Sequence, residues 1–344
     1  MSLKDASIYN IQFYKGKPIF IDTTSFQFFQ TKPWKPYFQF CKHFLYPLWA
    51  MYYISPKLNG LFVTNLDGLE PSLTRSLLPF FAKFKISVIL HLLIPLLYNK
   101  KNSSKNVTIS LEKHKRLIKH LFDIINPLHL PKQKSIWNQY YNKNITKPEY
   151  LSAKENIIKD IFSKIEPGII VDLGANDGHF SKLLKTEYSI ISTDFDNYVI
   201  NDLYIDIKIN NRENILPLVL NVTNPSSGIG WNNEERSAFF ERKEFDTIMA
   251  LALVHHLVFS ENISLDMIAK KFSLAKKYLI IEFIPTNDEK VVQITQNRDT
   301  DHVTYSEKDF ENSFETYFNL LEKKNVLYSE RIIYIYERKA KNPN

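Results

Sequence analysis

The residues of this chain best suited to chemistry lie between Val171 and Glu282. The segment VDLGANDGHFSKLL (171–184) carries an apolar run to Asp172, turns through Gly174, Ala175, Asn176 and Gly178, and enters a helical pattern near His179. Glycines at such a bend let the backbone approach a ligand closely, and the helix N-terminus brings partial positive charge to the same place. A dinucleotide-binding turn of the G-x-G-x-x-G kind would hold a pyrophosphate there. Here Asn176 stands at the middle glycine, and Asp172 and Asp177 flank the turn. Carboxylates repel a pyrophosphate and attract a cation. The ammonium and sulfonium of S-adenosylmethionine (SAM) match that field, so SAM is the expected cofactor.

Other candidates follow at regular intervals. SIISTD (189–194) ends in Asp194, sixteen residues beyond Gly178. A carboxylate at a strand end can accept both ribose hydroxyls, and Phe195 beside it can pack on an adenine; Asp196 competes with Asp194 for that role. After LPLVLNV (216–222), Asn221 can bond the adenine edge and Val222 can offer a backbone N–H. DTIMALAL (246–253) runs into His255-His256, and YLIIEF (278–283) delivers Glu282. A histidine near the transferred group can take a proton from an O–H or N–H nucleophile. His255, His256 and Glu282 are therefore the catalytic candidates, with a helix cap and a packing residue as the alternative roles for the two histidines.

The elements that position these residues read from the same runs. Five short apolar segments, at 169–174, 189–194, 216–222, 246–253 and 278–283, alternate with helical patterns, which predicts a parallel sheet covered on both faces. Runs 320–329 and 331–338 are too close together for a crossover and predict an antiparallel hairpin. The expected fold is α/β: a Rossmann-like, seven-stranded, mostly parallel sheet with a C-terminal antiparallel hairpin, preceded by a mainly helical N-terminal domain. The texture divides the chain into an aromatic-rich zone (1–100), a polar helical zone (101–165) that links to and begins the next domain, and the sheet domain (166–344). Within the middle zone NKKNSSKN (99–106) reads as a loop, and 111–125 and 150–165 have helical spacing. Trp137, Tyr140 and Tyr141 either close over the cofactor as a lid or staple the domains together.

Composition bounds the rest. The 344 residues are 44% hydrophobic and 24% charged, which excludes disordered and fibrous classes. Cys41 is the single cysteine, so no intrachain disulfide and no cysteine zinc site can form; no metal is expected, and the location is expected to be cytoplasmic. The net charge of +7 comes from lysines spread along the chain, which reads as a solvated surface before a nucleic-acid footprint. ISVILHLLIPLL (86–97) is too short to span a bilayer and is expected to be a buried helix, with a membrane-surface helix as the alternative.

These residues resemble the class I SAM-dependent methyltransferases: VDLGANDGHFS is similar to their first motif, STDFD to their second and ALALVHHL to their fourth, over about residues 135–340. The resemblance implies methyl transfer from SAM. NPSSGIGW, ALALVHHL and LIIEFIP, with LKDASIYNIQF and GKPIFIDTTSF near the start, further resemble a bacterial group of nodulation-protein-related methyltransferases, in which an N-terminal domain precedes the catalytic one. In that first zone, Asp5 and Asn10 in a D-x4-N spacing and Asp22 after IFID are similar to the catalytic loop and metal-binding Asp of kinase-like phosphotransferases. Taken as beginning at Met1, the chain has no glycine-rich nucleotide loop ahead of them. The expectation is a degenerate or truncated kinase-like lobe and not a working kinase.

Two acceptor chemistries are disfavoured. Methylation at pyrimidine C5 needs a cysteine nucleophile, and Cys41 lies outside the sheet domain. Methylation of nucleobase amines uses an Asn/Asp-Pro-Pro-aromatic signature where this chain has Ala252-Leu253-Val254-His255. An O- or N-acceptor on a small molecule, glycan or protein is expected. The alternatives are an inactive SAM-binding scaffold with a pseudokinase-like lobe, and an RNA methyltransferase.

Overall fold

The computed structural model describes residues 1–98, 108–130, 148–300 and 303–340. Trp137, Tyr140, Tyr141 and the loop expected at 99–106 lie outside them. The chain forms two compact units, Met1–Gln133 and Lys134–Asn344.

The first unit is mainly helical. One helical run covers Tyr37–Phe40, Cys41–Leu45 and Tyr46–Tyr53, the middle piece with π-helical bonding. It buries Cys41, Leu45, Tyr46 and Trp49 against Leu92 and Leu121. Burial pushes the Cys41 thiol up to about 12, which makes it a small apolar filler. Leu121 comes from the helix Leu111–Ile125, which belongs to this first unit.

The run from Ile86 to Tyr98 is helical, with a π-helical turn at Ile89–Leu93. Val88, His91 and Leu92 are buried, with the His91 ring 2.6 Å from the Tyr37 hydroxyl. The expectation of a buried helix holds for that face only. Ile86, Leu90, Ile94 and Leu97 are exposed on the other. A helix that is apolar on every side cannot reveal in its sequence which side meets solvent.

Near the start, Asp5, Asn10 and Asp22 do come together, around the antiparallel hairpin Ile11–Tyr14/Lys17–Phe20. The Asp5 carboxylate accepts from the Asn10 amide at 3.1 Å and from Gln39 at 2.5 Å. The Asn10 amide reaches the Ser25 hydroxyl at 3.5 Å, and that hydroxyl donates to Asp22. No group of three or more acidic, His or Cys side chains able to hold a metal occurs among the described residues.

The second unit is built on seven strands: β1 (Ile169–Leu173), β2 (Ser189–Asp194), β3 (Ile215–Val219), β4 (Thr247–Ala250), β5 (Tyr278–Phe283), β6 (Phe318–Asn325) and β7 (Ile332–Arg338). Their order is β6-β7-β5-β4-β1-β2-β3. β1 to β5 are parallel, and β7 runs antiparallel between β5 and β6, which is the expected sheet with its reversed hairpin. Successive residues of a strand face opposite sides. Val171, Ile248, Leu279 and Tyr334 therefore enter one core, and Ile170, Met249, Ile280 and Ile333 the other. Besides a single turn at Phe239–Arg242, the helices are α1 (Pro148–Lys164), α2 (His179–Leu183), α3 (Asn197–Ile209), α4 (Val254–Phe259), α5 (Leu265–Phe272), α6 (Glu289–Thr295) and α7 (Glu307–Glu315). α1 packs Ile158, Ile161 and Phe162 on the second core, while α5 and α7 supply Ile268, Phe272, Phe310 and Phe314 to the first.

Candidate functional site

β1, β2 and β4 end at the same sheet edge, where β1 is flanked by strands whose connections leave in opposite directions. That is the switch point at which open α/β sheets bind ligands. A cavity of about 210 Å³ opens there, lined by Gly174, Asn176, Asp194, Phe195, Leu251, Ala252, Leu253, His256, Ser260 and Glu261.

The β1 turn is formed by the chain itself. Gly174 (φ +73°) and Asn176 (φ +53°) take left-handed backbone, which glycine and asparagine tolerate best. The Asn176 N–H donates to Asp194 Oδ2 at 3.0 Å, and the Asp196 N–H donates to Asp194 Oδ1 at 3.0 Å. One carboxylate thus fixes the turns after β1 and β2 and still faces the cavity. Burial raises its pKa, while the backbone donors from Asp196 and Asn176 oppose the rise. Asp196 is committed elsewhere: it caps α3, accepting from Tyr198 N–H at 2.8 Å.

Several expected residues stand behind the lining. Gly178 serves packing, since a Cβ there would come within 2.7 Å of Leu203 Cδ1 on α3. Ala175 donates its N–H to the Thr193 carbonyl at 2.8 Å. Asp177 accepts from the His179 N–H at 3.1 Å at the start of α2. Asn221 is exposed and accepts from Thr223 N–H at 3.0 Å, and Val222 packs on the core; neither lines the cavity. Asp172 is buried beneath the turn, accepting from Ser181 Oγ at 2.6 Å, with Ser192 Oγ donating to Ser181 at 2.8 Å.

Burial raises the Asp172 pKa to about 7, aided by the Asp194 charge and opposed by Ser181 and Lys154. The folded chain therefore holds a proton that the unfolded chain has released above about pH 4. This contribution to stability is complete below the unfolded value and is lost as pH rises towards 7. Asp172→Asn is expected to flatten the fall of the melting temperature between pH 4 and 7. Identical profiles for the two proteins would refute that account.

Of the catalytic candidates, His256 lines the cavity. Burial and nearby Lys290 lower its pKa to about 4, so it is neutral at pH 7 and a weaker base than an exposed imidazole. His255, with its ring centroid 4.2 Å from that of His256, is only 1% exposed, and neither of its ring nitrogens has a partner. Burial drives its pKa well down, and it does not line the cavity.

Glu282 is fully buried and paired. Lys154 Nζ of α1 lies 2.6 Å from Oε2, and the same oxygen accepts the Ala252 N–H at 2.7 Å. Ala252 has φ +51°, a strained value for a residue with a Cβ, and it lines the cavity. Glu282 thus touches the cavity lining through that peptide. Around it, Arg331 donates to the Tyr150 hydroxyl at 3.0 Å and pairs with Asp288 at 2.8 Å.

Sequence reasoning missed Lys154, although the signal was present: Lys154, Ile158, Ile161 and Phe162 share one face of α1. A lysine inside an apolar stripe needs a buried acid. Ser260 and Glu261, at the end of α4, carried no such signal.

No family model matches the chain. It is similar to the nodulation protein NoeA of Rhizobium meliloti (strain 1021), 30% identical over a 350-residue alignment that covers 98% of this chain and 73% of that protein. Among solved structures it is similar to magnesium protoporphyrin IX methyltransferase from Synechocystis PCC 6803, with a TM-score of 0.43 at 15% identity, over 59% of this chain and 92% of that one. It is also similar to the N-methyltransferase NodS from Bradyrhizobium japonicum WM9, with a TM-score of 0.42 at 10% identity, over 56% and 99%.

Proposed function

The chain belongs to the family of the nodulation protein NoeA, and we propose that its sheet-edge cavity binds S-adenosylmethionine for methyl transfer to an O- or N-acceptor. The observation that carries the reading is Asp194: a largely buried carboxylate, oriented by two backbone N–H groups, facing a cavity that also borders the Gly174 bend. The donor set suits a cationic nucleoside. Asp194 would accept ribose hydroxyls, Phe195 offers a ring for the adenine, and the Gly174–Asn176 turn leaves room for a close backbone approach. The bound cofactor supplies a methyl group already activated on sulfur.

The chain's own part is to orient and to exclude water. Holding reactants aligned is worth roughly 7–11 kcal/mol of barrier. Neutral His256 would take the acceptor proton, and Glu282 would keep the Ala252 peptide in place beside it. The acceptor fits best as a small molecule, glycan or protein. In the first unit, Asp5, Asn10, Ser25 and Asp22 bond to one another, which supports a structural use of these residues over phosphoryl transfer.

Titration calorimetry tests the reading. SAM and S-adenosylhomocysteine are expected to bind and NAD to give no heat; binding of NAD alone would reject it. With cell extract as the acceptor source, the chain is expected to release S-adenosylhomocysteine slowly. His256→Ala should bind SAM normally and release product about 100-fold more slowly or worse. Full turnover by His256→Ala would remove that residue from the mechanism.

A further inference from the structure

The outer face of the helical run Ile86–Tyr98 is the feature that the proposed chemistry leaves unused. Ile86, Leu90, Ile94 and Leu97 recur at spacings of four, four and three and form one exposed stripe, with Leu97 73% exposed. Phe80 and Phe84 continue it from the preceding turn, their rings 4.8 Å apart edge to face and Phe80 76% exposed. A contiguous apolar surface of this kind marks an interaction site.

Charge selects the occupant. No aspartate or glutamate occurs between Glu70 and Glu112, whereas Lys83 and Lys85 stand on either side of Phe84, directly ahead of Ile86 in the chain. A second copy would bring Lys83 and Lys85 of both chains towards one another, which like-charge repulsion opposes. An anionic lipid surface complements both properties: acyl chains take the aliphatic stripe and the phenyl rings, and lysines meet the lipid phosphates. The run is too short to cross a bilayer. Among the described residues no helix is long and apolar enough to do so.

We infer that this face of the first unit is a docking surface for an anionic membrane, with the Ile86–Tyr98 helix lying flat on it. The inference goes beyond the methyl-transfer reading and does not depend on it. Cosedimentation of the full chain with phosphatidylcholine:phosphatidylglycerol vesicles (7:3), in the absence of SAM, tests it. Binding is expected, at least about tenfold weaker on pure phosphatidylcholine and about tenfold weaker in 0.5 M than in 0.1 M salt. Leu90→Glu/Leu97→Glu changes exposed positions only and should abolish binding without lowering the melting temperature. Lys83→Glu/Lys85→Glu should remove the preference for the anionic vesicles. Failure to sediment with the 7:3 vesicles, or binding unchanged in both variants, would overturn the inference. So would a dimer seen by analytical ultracentrifugation that Leu90→Glu/Leu97→Glu dissolves, since that outcome assigns the face to a second copy.

Discussion

Lys154→Met is expected to destabilise the second unit by about 3–5 kcal/mol, the usual cost of removing one partner from a buried ion pair. The methionine fits the apolar face of α1, so lost packing is not the source. The cost lies in Glu282, left fully buried with the Ala252 N–H and a long 3.4 Å contact from Tyr150 as its remaining donors. Lys154→Met/Glu282→Leu should recover much of the loss, because replacing both charges by apolar groups of similar shape is often neutral. It should not recover cavity function, since leucine cannot hold the strained Ala252 peptide. Calorimetric unfolding of the three proteins checks the argument. A Lys154→Met protein that melts with the wild type would refute it.

Asp194→Ala should weaken SAM binding by roughly ten- to a hundredfold, the equivalent of about 1.5–3 kcal/mol for hydrogen bonds to a charged group. Asp196→Ala provides the contrast. It removes a helix cap, so it should cost about 0.5–2 kcal/mol of stability and leave SAM affinity nearly unchanged. Calorimetric titration separates the two neighbours. Equal affinities for Asp194→Ala and wild type would withdraw Asp194 from the site. An equal drop in both variants would show that the loss reflects a disordered turn and not a missing ligand.

The sheet was legible because strands covered by helices read as unbroken apolar runs, and all five parallel strands, including the half-buried edge strand β3, appear where those runs lie. The bend after β1 was legible because its backbone demands glycine or asparagine at two positions. What the sequence left open concerns direction and partnership. Asp194 and Asp196 are the same residue type two positions apart; which one caps α3 depends on where the helix begins. Gly178 has the residue type of a ligand turn, yet its task is set by Leu203, twenty-five positions away. Glu282 stood among the catalytic candidates with no sign of its ion-pair partner, because Lys154 sits 128 positions upstream. The exposed stripe at 86–97 was hidden by the uniform apolarity of its helix.

The pairing of Lys154 with Glu282 also bears on any dissection of this protein. A boundary drawn from the apolar texture, at residue 166, would discard α1 and with it the only cation held against Glu282 among the described residues. Such a fragment would keep every strand and every cavity-lining side chain and yet carry an uncompensated carboxylate under its own floor. An excised second unit should begin upstream of Pro148.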